Sequence, residues 1–142
     1  MKNIVFVCTG NTCRSSMAEA LFNDAVRRKE KSEEIRAESC GLAAIPGQPA
    51  AENAVLAMRE IGIDLARHRS KPGTRKMLCN ADRIVVMTEE HKAALSTALP
   101  ACKEKISVMN ISDPYGQSLE VYKACRDNMI PYIEKILREE TD

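Results

Sequence analysis

The sequence predicts an α/β fold, with parallel strands alternating with helices in a single domain over residues 1–142. Three observations support this fold class. A chain of 142 residues suits one compact domain and would crowd two. The apolar runs 4–7 and 84–87 are continuous, as expected of strands buried on both faces. Segments with helical spacing separate the strands, and repeated strand–helix–strand units close through right-handed crossovers into a parallel sheet.

The first half of the chain contains two strand–helix pairs. After the strand at residues 4–7, a helix is expected over 15–29, because four apolar residues recur at helical spacing: Met17, Ala20, Leu21 and Ala25. Residues 35–41 suggest a second, short strand that ends at its glycine. A second helix is expected to begin at Pro49 and to end near Gly62, since Pro is favoured in the first helical turn and Gly at helix ends.

The third strand has a helix on each side of it in the chain. A polar, basic connection over 64–73 leads to a short helix over 74–79. The strand at 84–87 follows. Thr88 is then expected to cap a further helix, because two acidic residues stand in the first turn after it.

The last segment supplies a weaker fourth strand over 106–109 and a turn over 113–116. One long final helix follows. Its apolar face comprises Leu119, Tyr122, Cys125, Met129, Ile133 and Ile136. Pro131 lies inside this helix and predicts a kink or a break.

Composition excludes several classes of function. The chain carries 21 basic and 20 acidic residues and a net charge of +1, so it lacks the basic excess of nucleic-acid-binding proteins. Aromatic residues make up 4% of the chain, too few for a base-stacking platform. No apolar run approaches the roughly 20 residues that cross a bilayer, and no leader peptide is recognisable. We expect a cytoplasmic protein that binds neither nucleic acid nor membrane, and we expect it to be a monomer.

Six cysteines are unusual for such a chain. No pair has C-x-x-C spacing and only two histidines accompany them, so the sequence predicts neither a metal site nor a bound cofactor. A disulfide framework fits poorly with a chain that has no secretion signal. The thiols are therefore expected to be free. Four of them are expected to pack as small apolar residues: Cys40, Cys79, Cys102 and Cys125.

The loop after the first strand carries the strongest chemical pattern. In open parallel sheets, ligands bind beyond the carboxyl ends of the strands, and Cys8 stands at such an end. Gly10 and Asn11 tolerate left-handed backbone angles, so the loop can point successive amide N–H groups at an anion. Arg14 can bind two phosphate oxygens, and the positive field of the helix N-terminus favours the thiolate of Cys8. These parts suit nucleophilic attack on phosphorus.

Residues 8–15, Cys-Thr-Gly-Asn-Thr-Cys-Arg-Ser, resemble the signature loop of the low-molecular-weight protein tyrosine phosphatase family, with features of its bacterial protein-arginine phosphatase branch. Further similarity lies in 17–20, Ser39-x-Gly41, 62–70 and Asp113-Pro114-Tyr115, so it covers nearly the whole chain. The resemblance implies a flavodoxin-like fold of phosphatase I type, with four parallel strands flanked by helices on both faces. It also implies a cysteine-dependent hydrolase that acts on phosphorylated protein side chains through a phosphocysteine intermediate.

The resemblance further implies roles for individual residues. Cys8 would be the nucleophile, Arg14 the phosphate clamp and Asp113 the general acid that later helps to activate water. Ser15 would hydrogen-bond the Cys8 sulfur and ease its departure. The loop would be supported by three side chains: Asn11, Ser39 and His68. The loop, which would bind phosphate or other oxyanions, comprises Thr9, Gly10, Asn11, Thr12, Cys13 and Ser15. Ser16 replaces the Pro more common in the family, so the entry to the helix is less rigid.

Two positions bear on the substrate. Tyrosine phosphatases of the family tend to carry a larger aliphatic residue in place of Thr12. A threonine at this position resembles the arginine phosphatase branch. A hydroxyl there can hydrogen-bond a guanidinium and weakens an apolar wall for a phenyl ring. Tyr115 can stack on a phosphotyrosine ring or contact an arginine side chain, and Gly116 replaces a second aromatic residue of tyrosine-specific members. Protein phosphoarginine is the expected substrate, and protein phosphotyrosine the alternative.

The motif leaves other interpretations open. An arsenate reductase can share the fold and loop but needs resolving cysteines, and Cys79 alone lies in the segment between the middle helices. A phosphocysteine carrier domain of a sugar phosphotransferase system also has a Cys after its first strand, but it needs neither Arg14 nor a late acid. Cys13 either packs behind the loop or captures a peroxide-oxidised Cys8 in a reversible disulfide. His91 is expected to be solvated.

Overall fold

Four strands form the centre of the molecule. A computed structural model describes residues 1–141. The strands are β1 (Lys2–Cys8), β2 (Ile35–Gly41), β3 (Arg83–Val86) and β4 (Ile106–Val108). The helices are α1 (Arg14–Arg28), α2 (Glu52–Glu60), α3 (Arg75–Asn80), α4 (Glu89–Ala98) and α5 (Leu119–Thr141), with a 3₁₀ helix at Pro100–Lys105 before β4. Among these described residues, no helix is both long enough and apolar enough to cross a membrane.

The sheet is parallel throughout, in the order β2-β1-β3-β4. The chain leaves β1 for β2 on one side and returns to β3 on the other, so the topological switch point lies at β1. Cys8 ends β1 at this point and pairs with Gly41 of β2. Four parallel strands with helices on both faces confirm the predicted fold class.

Both faces of the sheet are covered, because successive side chains of a strand point to opposite sides. From β1, Ile4 and Phe6 belong to the core shared with α1, α2 and α5. Val5 and Val7 belong to the core on the opposite face, shared with α3 and α4. All four side chains are fully buried. Each contributes roughly 1.5–3 kcal/mol through burial, which explains why the strand is an uninterrupted apolar run.

The second helix begins later than its sequence indicates. Pro49 is predicted to open it, but α2 begins at Glu52. Pro49 instead lies in an isolated antiparallel bridge with Arg69. Next to this bridge, the amide N–H of Ser70 donates to the carbonyl of Gln48 at 2.8 Å. The predicted start is therefore wrong, since a contact between segments distant in sequence keeps Pro49 extended.

The last helix, α5, continues without interruption through Pro131, so a break at this residue is wrong. The kink stays a prediction. A proline in a helix interior removes one backbone hydrogen bond, at a cost of about 3 kcal/mol or more. Met129, Ile133 and Leu137 on the opposite side are 0–2% exposed. Their burial offsets that loss, while the proline ring itself lies on the exposed face.

Candidate active site

The loop between β1 and α1 lies against the end of β2. It connects Cys8, the last residue of β1, to Arg14, the first residue of α1. Gly41 permits this approach, because a Cβ there would stand 2.5 Å from the Thr9 carbonyl oxygen and 3.1 Å from the Asn11 nitrogen. A larger residue at position 41 would push the loop away from the sheet.

Asn11 holds the loop in a left-handed turn. It is fully buried and has a φ of 59°, a conformation that asparagine tolerates better than most residues. Its Nδ2 donates to Ser15 Oγ at 2.8 Å and to Ser39 Oγ at 2.9 Å, while its Oδ1 accepts from the Lys71 amide at 3.0 Å. His68 Nε2 donates to the Asn11 carbonyl at 2.6 Å. The structure thus brings together all three residues expected to support the loop.

The hydrogen bonds around Asn11 fix the direction of the proton on Ser15. Ser39 Oγ donates to Glu19 Oε1 at 2.6 Å, so it can accept the N–H of Asn11. Ser15 Oγ accepts the other amide hydrogen of Asn11 and lies 2.9 Å from Cys8 Sγ. An amide nitrogen only donates, so the Ser15 hydroxyl is free to donate to sulfur. The backbone N–H of Asn11 also lies 3.3 Å from Cys8 Sγ, so two donors converge on this sulfur.

A buried cation and an exposed carboxylate face the same cleft. The Arg14 side chain is 5% exposed and its Nη1 donates to the Ile111 carbonyl at 3.0 Å. Its Nη2 lies 3.7 Å from Asp113 Oδ2, and the Asp113 side chain is 54% exposed. Asp113 Oδ1 accepts the Tyr115 amide at 3.0 Å, which orients the carboxylate on the loop after β4. The guanidinium is therefore fixed, whereas the carboxylate is accessible to solvent.

The loop, Arg14 and Asp113 enclose a cleft of about 240 Å³ that also includes Cys8 and Tyr115. Thr12 is half-buried in its wall, and Tyr115 stands at the rim with 72% of its surface exposed. Every residue predicted to be catalytic or to choose the substrate thus lines one cleft. Asn11 connects the cleft to the two remaining support residues, Ser39 and His68.

The other thiols near the site are in apolar surroundings. Burial raises the pKa of Cys13, whose Sγ lies 3.3 Å from the hydroxyl of Tyr122. Burial likewise raises the pKa of Cys40 and of Cys125 to about 12, so both stay protonated at neutral pH. All six cysteines are free. Within residues 1–141, no three His, Cys, Asp or Glu side chains are grouped so that they could hold a metal ion.

His91 contacts the loop, although the sequence predicts a solvated side chain. It is 8% exposed, and its Nε2 lies 2.9 Å from Thr9 Oγ1. Burial, and then the charge of Arg14, lower the pKa of His91. The sequence holds one signal for this position. Thr88 accepts the His91 amide at 3.1 Å as the cap of α4, and that cap follows β3 at the edge of the sheet where Cys8 lies.

Comparisons with known proteins find relatives that match nearly the whole chain. A protein-arginine-phosphatase of Bacillus subtilis (strain 168) is 36% identical over 146 residues, which cover 96% of this chain and 93% of the relative. The structure of a low molecular weight protein tyrosine phosphatase from T. tengcongensis matches with a TM-score of 0.92 at 36% identity, covering 98% of this chain and 99% of that one.

A third match is a mutant of the arginine phosphatase YwlE that has a phosphorylated active-site serine. Its structure has a TM-score of 0.91 at 32% identity and covers 96% of this chain and 94% of that one. Residues 3–140 match the family described as low molecular weight phosphotyrosine protein phosphatase. The chain therefore belongs to this family and is a phosphoprotein phosphatase.

Proposed function

We propose that this phosphatase hydrolyses phosphoarginine in proteins and that Cys8 is its nucleophile. In the first step, Cys8 Sγ attacks phosphorus and the P–N bond breaks. The Asp113 carboxyl group gives its proton to the leaving nitrogen. Arg14 and the amide groups of the loop bind the phosphoryl oxygens, where negative charge builds up. The 3.7 Å between Arg14 and Asp113 supports this division of roles, because both groups reach one phosphoryl group.

The second step releases phosphate from Cys8. A water molecule attacks phosphorus, the S–P bond breaks, and the Asp113 carboxylate accepts the proton of the water. The sulfur leaves as a thiolate. The Ser15 hydroxyl at 2.9 Å and the backbone N–H of Asn11 at 3.3 Å stabilise this thiolate, since both donate to it.

The position of Thr12 in the cleft is the observation that favours phosphoarginine as the substrate. Overall identity does not decide it, because the arginine phosphatase relative and the tyrosine phosphatase structure are both 36% identical to this chain. The Thr12 carbonyl accepts the Ala51 amide at 2.9 Å, which fixes the residue in the wall of the cleft. Its hydroxyl lies 3.8 Å from Cys13 Sγ and has no closer hydrogen-bond partner among residues 1–141. It is thus available to a guanidinium N–H of the substrate.

Phosphoarginine and phosphotyrosine peptides of the same sequence, assayed side by side, test this proposal. We expect the wild type to prefer phosphoarginine in kcat/KM. Thr12→Val keeps the shape but removes the hydroxyl, so activity on phosphoarginine should fall about 10-fold, as for a lost hydrogen bond to a charged group. Thr12→Ile should raise activity on phosphotyrosine. A large preference for phosphotyrosine that Thr12→Ile does not increase would contradict the proposal.

Phosphotyrosine stays the second candidate because of Tyr115. Its ring is 72% exposed at the rim of the cleft and can stack on a phenyl ring. Both candidates need the same nucleophile. Cys8→Ser should therefore abolish release of phosphate from p-nitrophenyl phosphate, and continued release would reject the mechanism for either substrate.

We also propose that Cys13 protects Cys8 from irreversible oxidation. A peroxide would convert the Cys8 thiolate into a sulfenic acid, and the Cys13 sulfur would then displace water to form a disulfide. Cys13 is buried behind the loop, with its thiol proton retained by burial. Activity lost to peroxide should return with dithiothreitol in the wild type. It should not return in Cys13→Ser, and equal recovery in both would contradict this role.

A further inference from the structure

Two thiols that the proposed mechanism does not use face each other on the far side of the molecule. Cys79 lies in the last turn of α3 and Cys102 lies in the 3₁₀ helix. Their sulfur atoms are 3.8 Å apart, although 23 residues separate them in the chain. Cys102 is 3% exposed, which confirms its predicted place in the core. Cys79 is exposed, so its predicted burial is wrong.

This pair belongs to the edge of the sheet opposite the cleft. Helix α3 ends just before β3, and the 3₁₀ helix ends just before β4. The amino ends of parallel strands share one edge, whereas Cys8 stands at the carboxyl end of β1. The chemistry of Cys79 and Cys102 is therefore separate from the chemistry of the active-site loop.

The surroundings give the two thiols different reactivity. The ammonium group of Lys105 donates to the carbonyl of Cys79 at 2.8 Å and to that of Ala81 at 2.7 Å. These two bonds hold the end of α3 against the segment before β4, and the exposed Cys79 sulfur stays accessible to reagents. Burial, followed by the contact with Cys79, raises the pKa of the Cys102 thiol. Cys79 is thus the thiol that meets a reagent first, and Cys102 is the thiol behind it.

We propose that Cys79 and Cys102 form a reversible intrachain disulfide when the protein meets a peroxide. The Cys79 sulfur attacks one oxygen of the peroxide, the O–O bond breaks, and a sulfenic acid and water result. The Cys102 sulfur then attacks the Cys79 sulfur, the S–O bond breaks, and the proton of Cys102 leaves with the hydroxyl group as a second water. Two thiols lose two electrons to one peroxide, so the reaction balances.

The geometry requires a small movement. A disulfide bond is about 2.05 Å long, so the sulfurs must approach by less than 2 Å from their 3.8 Å separation. Cys79 can supply this movement, since it is exposed and lies in the last turn of a six-residue helix. The bond would join the end of α3 to the segment before β4 and enclose β3 and α4 in one covalent loop.

The test measures which cysteines become linked. The full-length chain carrying Cys8→Ser and Cys13→Ser leaves the active-site thiols out of the reaction. After hydrogen peroxide and then N-ethylmaleimide, trypsin digestion without reductant should yield peptide 77–83 linked to peptide 93–103. The linked species should lack two hydrogen atoms relative to the separate peptides and should disappear with dithiothreitol. Adding Cys79→Ser should remove it, and adding Cys125→Ser, a buried control cysteine, should leave it unchanged.

Thermal unfolding supplies a second measurement that does not depend on the digest. The oxidised chain should melt several degrees above the reduced chain, because the new bond restricts the unfolded state. Cys79→Ser, an exchange at an exposed site, should show no such difference. Equal melting temperatures for the oxidised and reduced chain would overturn the proposal. So would a Cys79 that ends as sulfinic acid beside a free Cys102, or a disulfide found only between two chains on a non-reducing gel.

Discussion

Asn11→Ala should destabilise the protein and slow its chemistry, because one side chain holds the loop from three directions. The amide of Asn11 makes hydrogen bonds to Ser15, Ser39 and the backbone of Lys71, all between 2.8 and 3.0 Å. The residue is fully buried, so water cannot replace these partners. Alanine would also have to adopt the φ of 59°, which it tolerates poorly.

The free energy of unfolding should fall by about 4 kcal/mol. Each buried hydrogen bond contributes about 1 kcal/mol net, and a left-handed backbone costs a residue with a Cβ about 1 kcal/mol. Such a loss is a large share of the roughly 5–15 kcal/mol by which a domain is stable. Asn11→Gly is the matched control. It removes the same three hydrogen bonds at a φ that glycine adopts freely, so it should lose about 1 kcal/mol less.

Urea unfolding measures both variants, and hydrolysis of p-nitrophenyl phosphate reports on the loop itself. We expect kcat to fall in both, since Ser15 loses the partner that directs its proton toward Cys8. The reasoning is refuted if the free energies of unfolding of Asn11→Ala and Asn11→Gly both lie within about 1 kcal/mol of the wild-type value. The buried side-chain amide would then not hold the loop.

Two further predictions follow from the same site. Ser15→Ala removes a donor to the leaving thiolate, so release of phosphate should slow about 10-fold or more. A burst of leaving group should then precede steady turnover, and a time course without a burst would contradict this prediction. The pKa of His91 is lowered in the folded state from its ordinary value of 6.5. At pH values below 6.5 the unfolded chain therefore binds more protons than the folded chain, and stability falls as the pH decreases through 6.5. His91→Asn should lose less stability than the wild type between about pH 7.5 and about pH 5.5; parallel curves would show that His91 is not the group responsible.

The predictable part of the molecule is the part that depends on neighbours in sequence. The apolar run of β1 must be continuous because both its faces are buried, and this places Cys8 at the edge of the sheet. Helix α1 begins at Arg14, within one residue of its predicted start, since the loop and the first helical turn form one continuous motif. Most groups that line the cleft lie in that short segment, so the sequence alone locates the cleft.

The remaining features depend on partners far along the chain. Pro49 stays extended because of Arg69, and His91 is buried against Thr9, 82 residues earlier. Neither contact leaves a periodic pattern that a sequence can show. Cys79 and Cys102 meet only because two connections reach the same edge of a parallel sheet. Such juxtapositions follow from topology, and local spacing does not predict them.

The unequal exposure of Arg14 and Asp113 has a consequence for how new specificity can arise. In the proposed mechanism phosphate is bound by Arg14, which is buried and bonded to the Ile111 carbonyl, so we expect changes at Arg14 to disturb packing as well as binding. Asp113, the proposed acid, instead stands on an exposed loop, next to the exposed ring of Tyr115. Substitutions on that loop can exchange one leaving group for another at little expense in stability. Libraries that diversify the exposed residues 112 and 115–117, and keep Asp113, Pro114 and 8–15 constant, should therefore yield folded enzymes with altered leaving-group preference.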